Sequence, residues 1–403
     1  MKKIFNYSLD YIFFFIGSFF AILCNLFLGY FSIEDLGLFN KSYAIFIILG
    51  HLFLFSAHEN IVKNLPTTKD RVRYLSSIYF VVFCCCILSI FFLIIFNTIL
   101  STSSLFNKIN FFFLIFAIPF FIINKVFFAV LNADKNFHFY FFLNCLRPIL
   151  IFISLLILFY NNINISNVFI ITEIILLIIN LSLYKKFKII IKINELKFNI
   201  IKNIFVFNFL SLPHSLLSYS FLRIDIIILS FFISLEELGY YSLASMIIEG
   251  IYQLLTMMRD RLNPDLALKL YFKKYKLNIY YKKILINVIL FLFISLIAYF
   301  VFFPLFSYFS NNNYDLSKNI FLIISFGLFL FSISSSFEHI FLMNNKPHYQ
   351  SLYIIFGNLL NIILNVLLIK KFGLYGAAYA TSVSFLFLSF IIFIYASMVS
   401  KQN

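Results

Sequence analysis

The segment Ser32-Ile-Glu-Asp-Leu-Gly-Leu-Phe39 returns 202 residues later as Ser234-Leu-Glu-Glu-Leu-Gly-Tyr-Tyr241. Each copy lies in a short acidic turn between two long apolar stretches, which for the first copy are residues 9–31 and 38–60. The offset is half the length of the 403-residue chain. A repeat of this period indicates that the chain consists of two related halves.

The sequence around the repeat is too apolar for a protein surrounded by water. Hydrophobic residues make up 63% of the chain and charged residues 12%, whereas a soluble domain carries roughly a quarter charged residues. A helix that crosses a bilayer needs about 20 mainly apolar residues. Such stretches lie near residues 9–31, 38–60, 75–98, 110–131, 138–160, 164–184, 204–233, 239–259, 284–309, 319–342, 348–369 and 374–399. The sequence therefore predicts an all-α polytopic membrane protein with about twelve transmembrane helices.

The distribution of basic residues predicts the orientation of these spans. If the N-terminus is cytoplasmic, 23 Lys and Arg residues fall in inner segments and four in outer loops. Such a bias is the positive-inside rule, and one missed span would invert every later loop. The net charge of +15 therefore reflects membrane topology and gives no reason to expect nucleic acid as a partner. We expect both termini in the cytoplasm.

The repeat also predicts how the helices are arranged. Each copy lies between the first and second helix of a six-helix half, and because six is even, both halves cross the membrane in the same orientation. A second pair, Leu131-Asn-Ala-Asp-Lys135 and Leu342-Met-Asn-Asn-Lys346, falls between the fourth and fifth helix of its half. We expect two parallel six-helix bundles, residues 1–190 and 191–403, around a central cavity that opens to alternate sides of the membrane.

Two motifs carry a resemblance to a known family. Glu237-Leu-Gly-Tyr-Tyr-Ser-Leu-Ala244 resembles the G-x-Y-x-x-A start of a helix in the polysaccharide flippase branch of the MOP superfamily, the Wzx-type O-antigen flippases and their relatives. Residues 357–381 resemble the end of that family: an Asn-containing helix, a short basic turn, then G-x-x-G-A-A-x-A-T. An acidic residue like Asp225 in Arg223-Ile-Asp225 is also common there, whereas Lys370 replaces the usual Pro of the turn.

The resemblance implies a MOP/MATE-like fold and a function. The expected activity is translocation of an undecaprenyl-pyrophosphate-linked oligosaccharide from the cytoplasmic to the periplasmic leaflet by alternating access, in O-antigen or lipopolysaccharide biosynthesis. The implied location is the bacterial inner membrane. The partners would be the lipid-linked oligosaccharide, membrane lipids and other polysaccharide-assembly membrane proteins.

Ionisable residues inside the predicted spans are the candidate functional residues, because each costs several kcal/mol unless it faces a cavity or a partner. Basic side chains would bind the anionic headgroup of the cargo. Acidic side chains would bind a proton or a sodium ion that drives the cycle. The alternative is that these charges pair across helices and hold the bundle together. The basic candidates are Arg223, Arg147, Lys125 and Lys41, and the acidic candidates are Asp225, Glu249 and Glu173.

Three other polar groups lie near or within the spans. His51, His58 and Glu59 share one stripe, and Glu338 and His339 end the tenth span; both groups are interpreted as interfacial hydrogen-bonding residues rather than metal ligands. A third set, with i, i+3, i+7 spacing, would line a cavity or join helices. It consists of Asn358, Asn361 and Asn365.

Two other functions stay open. A MATE-type drug or cation exporter would share the fold, and the buried acids suit such a cargo. A Wzy-type polymerase would be equally apolar, but it would have long outer loops with arginines, which this chain does not have. No soluble-enzyme motif is present, so we expect a transporter without catalytic residues, cofactor or resident metal.

The longest connection, residues 259–283, is basic and rich in Tyr and Leu. It is expected either to lie along anionic lipid headgroups or to be a simple solvated linker.

Overall fold

A computed structural model describes residues 2–100, 111–160, 167–187, 189–310 and 314–402, and within these ranges the chain is nearly all helical and contains no strand. Residues 110 and 164–166 of the predicted spans lie outside the described residues. The helices are α1 (Lys2–Phe31), α2 (Ile33–Leu54), α3 (Ala57–Asn64), α4 (Arg71–Leu100), α5 (Phe111–Ala133), α6 (Phe137–Tyr160), α7 (Asn167–Tyr184), α8 (Phe198–Leu229), α9 (Leu235–Tyr271), α10 (Tyr281–Ile297), α11 (Phe303–Ser310), α12 (Asp315–Ser334), α13 (Ile340–Met343), α14 (Pro347–Phe372) and α15 (Leu374–Gln402).

Eleven helical segments among the described residues are long and apolar enough to cross a membrane. They correspond to eleven of the twelve predicted spans, and the all-α polytopic membrane fold is confirmed. The predicted span without such a segment is the eighth, residues 239–259. It lies within α9, which is 37 residues long but carries acids at Glu236, Glu237 and Glu249. These charges lower the hydropathy of α9, so its crossing of the membrane stays a prediction.

The connection predicted at residues 259–283 is shorter than expected. Helix α9 continues to Tyr271, because Leu262, Leu266 and Leu270 give this extension an apolar face that is buried. A turn of 3₁₀-helix, Leu277–Tyr280, then leads into α10. Only residues 272–276 of this connection lie outside a helix.

The chain forms two compact units. Unit 1 consists of Met1–Cys24 and Ile45–Leu216, and unit 2 of Asn25–Ala44 and Leu217–Asn403. In unit 1, α5 packs against α3, α4 and α7, and α6 packs against α7. In unit 2, α15 packs against both α12 and α14, and α12 packs against α9. The division of the chain into two six-helix bundles, residues 1–190 and 191–403, stays a prediction.

The repeat has a direct structural meaning, because each copy is a helix N-terminus. Ser234 caps α9: its hydroxyl accepts a hydrogen bond from the Glu237 backbone N–H at 3.2 Å, and the Glu237 carboxylate accepts one from the Ser234 N–H. At the equivalent positions, the Ser32 hydroxyl accepts from the Asp35 N–H at 3.1 Å. Both copies therefore satisfy backbone donors that a helix start leaves without an intrahelical partner.

The second repeat pair contains the same backbone motif in both copies, but in a register shifted by one residue from the sequence alignment. Lys135 and Asn345 both have left-handed backbones, with φ of 59°. Each of these residues stands just after the end of a helix. The residue after it, Asn136 or Lys346, donates its N–H to the carbonyl five positions earlier, that of Leu131 or Phe341. This is the same helix-ending motif. The left-handed positions fix the offset at 210 residues, whereas the sequence comparison gave 211.

Close packing between α12 and α15 gives a test of this unit. A Cβ at Gly327 would overlap the Ser382 carbonyl oxygen, whereas a Cβ at Gly250 in α9 would meet nothing within 4 Å. We expect Gly327→Ala to destabilise the protein by about 1–3 kcal/mol through overpacking. Gly250→Ala, the matched control, should be neutral or stabilising because Ala favours helix. Thermal unfolding of the purified protein measures both, and equal melting temperatures for the two variants would contradict the packing.

Candidate functional site

Arg223 of α8 and Glu249 of α9 form an ion pair in unit 2. The Arg223 guanidinium binds the Glu249 carboxylate through Nη2 and donates from Nη1 to the Tyr219 carbonyl at 2.8 Å. It also lies 5.1 Å from the centre of the Tyr43 ring. Its Nε is buried and has no hydrogen-bond acceptor among the described residues. The guanidinium is therefore buried, charged and left with one unused donor.

Asp225, two residues along α8, faces different helices. Its carboxylate accepts hydrogen bonds from the Tyr241 hydroxyl of α9 at 3.1 Å, from the Asn365 amide of α14 at 2.8 Å and from the Thr381 hydroxyl of α15. The Asn361 side chain accepts a hydrogen bond from the Asn365 amide at 2.9 Å, and its own amide nitrogen lies 3.5 Å from the Thr381 hydroxyl. The two-residue spacing on a helix explains why Arg223 and Asp225 do not pair.

The groups around Asp225 are neutral. Within the part of the chain that the structure describes, no Lys, Arg or His forms an ion pair with this carboxylate. Asp225 is 1% exposed and Asn361, Asn365 and Thr381 are fully buried. The carboxylate and the Tyr241 and Thr381 hydroxyls provide hard oxygen ligands of the kind that small cations prefer, and protonation would also neutralise the carboxylate.

In unit 1, Arg147 of α6 and Glu173 of α7 form a second buried pair. Arg147 Nε lies 2.9 Å from Glu173 Oε1, and Nη2 lies 3.1 Å from Oε2. The Asn124 amide donates to Glu173 Oε2 at 2.8 Å, and the Asn180 amide donates to the Asn124 side chain at 2.7 Å. The arrangement is the cross-helix pairing that was the alternative to a transport role.

The two remaining basic candidates are Lys125 and Lys41. Lys125 of α5 is half-buried with its ammonium 5.7 Å from the centre of the Phe121 ring, and Arg147 lies 5.0 Å from the same ring. Lys41 of α2 is half-buried in unit 2. The transport roles of all seven candidates stay predictions.

Two residues of the Asp225 group were not predicted from the sequence. Tyr241 stands in the second copy of the repeat, and Thr381 ends the G-x-x-G-A-A-x-A-T motif, so both were already within quoted motifs. Neither is ionisable near neutral pH, so neither stands out among the charged residues of the spans. The Asn stripe was correctly located, and the structure shows that Asn361 and Asn365 join α14 to α8 and α15.

Two buried clusters outside the predicted site also involve charged residues. In unit 2, Arg259 of α9 forms an ion pair with Glu338, which also accepts a hydrogen bond from Tyr252 at 3.0 Å. In unit 1, Glu59 Oε1 lies 3.5 Å from His214 Nε2 and 3.8 Å from His58 Nε2. Carboxylate–imidazole pairs are ionic only when the ring is protonated, so the charge of the second cluster depends on pH.

The two copies of the repeat contact each other within unit 2. The Asn40 amide donates to the Asn25 side chain at 3.0 Å and lies 3.4 Å from the Ser242 hydroxyl. A Cβ on Gly37 would lie 2.9 Å from the Leu235 carbonyl oxygen and 3.9 Å from the Gly239 nitrogen. Positions 37 and 239, and positions 40 and 242, are related by the repeat offset of 202 residues. Equivalent positions of the two halves therefore meet.

Comparison with known proteins places the fold. The chain matches no protein-family model and no curated protein sequence. It does share its fold with solved transporters. The lipid II flippase MurJ, in an inward closed conformation, has a TM-score of 0.65 at 16% identity, covering 98% of this chain and 90% of MurJ. The MATE transporter VcmN of Vibrio cholerae in its bent form has a TM-score of 0.66 at 12% identity, with 98% of each chain covered.

A third structure extends the comparison. It is a MOP superfamily transporter from Pyrococcus furiosus, with a TM-score of 0.61 at 11% identity, covering 98% of this chain and 92% of that one. The predicted MOP/MATE-like fold is thereby confirmed over nearly the whole chain.

The Arg147–Glu173 pair can be tested by a double-mutant cycle. Arg147→Met leaves a buried carboxylate without its cation, and breaking such a pair costs about 3–5 kcal/mol. Adding Glu173→Gln removes the orphaned charge, so the double variant should recover most of the lost thermal stability. Lys125→Met, a cation loss beside the same Phe121 ring, should be much milder. A double variant no more stable than Arg147→Met would show that the pair does not hold α6 to α7.

Proposed function

We propose that the protein is a flippase that moves an undecaprenyl-pyrophosphate-linked oligosaccharide, an O-antigen unit or similar, from the cytoplasmic to the periplasmic leaflet of a bacterial inner membrane. The shared fold supports membrane transport in general, since its solved examples include both a lipid II flippase and a MATE transporter. The choice of an anionic lipid-linked cargo needs an observation on this chain itself.

Arg223 supplies that observation. Arg223 is 7% exposed, yet its Nε–H has no acceptor among the described residues, although unpaired buried donors are costly. Guanidinium groups bind phosphate oxygens strongly, through charge-assisted and bidentate hydrogen bonds. Glu249 shares the same guanidinium, so binding of a pyrophosphate would compete with this carboxylate. Exchange between the two anions would allow Arg223 to bind the cargo and then release it.

The contact between the repeat copies supports alternating access. Asn25, Gly37 and Asn40 come from the first half of the chain, whereas Leu235 and Ser242 come from the second half, and the positive-inside rule puts all of them at the outer end of the spans. Two halves that touch at equivalent positions can separate by a symmetric rocking movement. We propose that this contact closes the outer side when the protein faces the cytoplasm.

Asp225 is our candidate for the coupling site. Its position among Tyr241, Asn361, Asn365 and Thr381 joins α8, α9, α14 and α15, so a cation bound there would change how these four helices pack. We propose that a proton or a sodium ion binds at this carboxylate during the transport cycle.

Deletion of the gene tests the cargo. Without the flippase, lipid-linked repeat units should accumulate on the cytoplasmic leaflet and surface polysaccharide should fall, since the headgroup does not cross the bilayer unaided. Leaflet-specific labelling of the saccharide measures the accumulation. Normal surface polysaccharide in a strain without a redundant transporter would contradict the flippase proposal. Sensitivity of the deletion strain to cationic drugs instead would support a MATE-type exporter.

Arg223 variants test the site itself. Loss of a charge-assisted hydrogen bond costs about 1.5–3 kcal/mol, so Arg223→Ala should slow translocation about ten- to hundredfold while membrane expression persists. The double variant Arg223→Ala, Glu249→Ala removes the pair as a whole. If Arg223 serves the cargo, the double variant stays as slow as the single one. Recovery of transport in the double variant would show that the arginine only neutralises Glu249.

A further inference from the structure

A cluster of polar side chains lies in the connection between α9 and α10, and it has no role in the proposed transport mechanism. Tyr275 and Tyr280 are almost fully buried, with ring centres 5.7 Å apart. Both rings pack against Phe337, and the Leu277 N–H donates to the Ser400 hydroxyl at 3.0 Å. These contacts fix the connection against the rest of unit 2, so it is a folded element and not a simple solvated linker.

The hydroxyl groups of both tyrosines are buried and have no hydrogen-bond partner among the described residues. Burial raises the pKa of Tyr280 to about 12, and burial together with the neighbouring Tyr280 raises the pKa of Tyr275 as well. Both groups therefore stay protonated near neutral pH and remain donors. Leaving a buried hydroxyl without a partner is unfavourable, so a ligand that accepts two hydrogen bonds would be bound with a gain in free energy.

Two cations lie beside these donors. The Lys269 ammonium is 5.0 Å and the Lys283 ammonium 5.2 Å from the centre of the Tyr280 ring. Lys283 also lies within electrostatic range of Arg261, with Asp265 as the acid of the group. Three basic residues against one acid leave a net positive charge, which together with two hydroxyl donors matches a phosphate group.

The surface around the group indicates where that phosphate comes from. Tyr271, Phe272 and Tyr281 are exposed by 66%, 60% and 54%. Exposed lysines at 273, 274 and 276 lie between them, and the exposed Lys282 follows Tyr281. Aromatic rings mixed with lysines on the predicted cytoplasmic side are typical of chain segments that lie at the headgroup level of an anionic leaflet.

From these observations we infer that Tyr275, Tyr280, Lys269 and Lys283 form a binding site for the phosphate of an anionic phospholipid in the cytoplasmic leaflet. The phosphodiester would accept hydrogen bonds from the two hydroxyls and lie between the lysine ammonium groups. The bound lipid would hold the inner ends of α9 and α10 to the leaflet. This inference does not depend on the identity of the transported cargo.

Thermal unfolding of the full-length protein in detergent, with added phosphatidylglycerol or phosphatidylcholine, tests the site. We expect phosphatidylglycerol to raise the melting temperature of the wild-type protein by several degrees and phosphatidylcholine to have little effect, since a ligand that binds only the folded state stabilises it. Tyr275→Phe, Tyr280→Phe keeps both rings and removes only hydroxyls, so the variant should fold and lose most of the shift. Lys269→Gln, Lys283→Gln should lose it too.

Each variant has a matched control. Tyr271→Phe, Tyr281→Phe removes two exposed hydroxyls from the same segment, and Lys370→Gln, Lys371→Gln removes two basic charges at the end of α14; both should keep the full shift. Inorganic phosphate alone should not reproduce the effect of the lipid. The inference is overturned if Tyr275→Phe, Tyr280→Phe responds to phosphatidylglycerol like the wild type, or if inorganic phosphate gives the same stabilisation.

Discussion

The Asp225 carboxylate is the interaction on which unit 2 depends. A carboxylate inside an apolar helical bundle is very costly unless other groups compensate its charge. Here the compensation comes from Tyr241, Asn365 and Thr381, one side chain from each of three helices, with Asn361 beside them. The requirement to satisfy one charge thus determines how α8, α9, α14 and α15 meet.

The electrostatic cost of the buried charges is compensated in two different ways. Arg147 with Glu173 and Arg259 with Glu338 are closed ion pairs, in which the opposite charge is supplied by the protein itself. Asp225 has only neutral donors. Neither Arg147 Nε nor Arg223 Nε makes a hydrogen bond among the described residues, but Arg147 Nε lies 2.9 Å from a carboxylate oxygen of Glu173, whereas Arg223 contacts Glu249 through Nη2 alone. The closed pairs suit permanent attachment of helices. Side chains whose charge or donors are only partly satisfied by the protein suit reversible binding of a ligand. This difference is our reason for proposing that Arg223 and Asp225 bind the cargo and the coupling cation.

More of the fold than of the candidate site could be predicted from the sequence. Apolar length, the loop charges and the repeat identified the helical membrane fold and both repeat pairs, because these features are local or periodic. The partners of the charges were not predictable, since Glu173 meets Arg147 and Asp225 meets Thr381 only after helices pack. Tyr275 and Tyr280 were overlooked because nothing in the sequence shows that a hydroxyl is buried without a partner.

The most direct test of the account is the response of the purified protein to cations at Asp225. Melting temperatures would be measured in sodium chloride and in choline chloride at equal ionic strength, and across pH in the absence of sodium. We predict that the wild-type protein responds to sodium or to pH, that Asp225→Asn does not, and that Glu173→Gln responds like the wild type. An Asp225→Asn variant with the full wild-type response would contradict the assignment of this carboxylate as the coupling site.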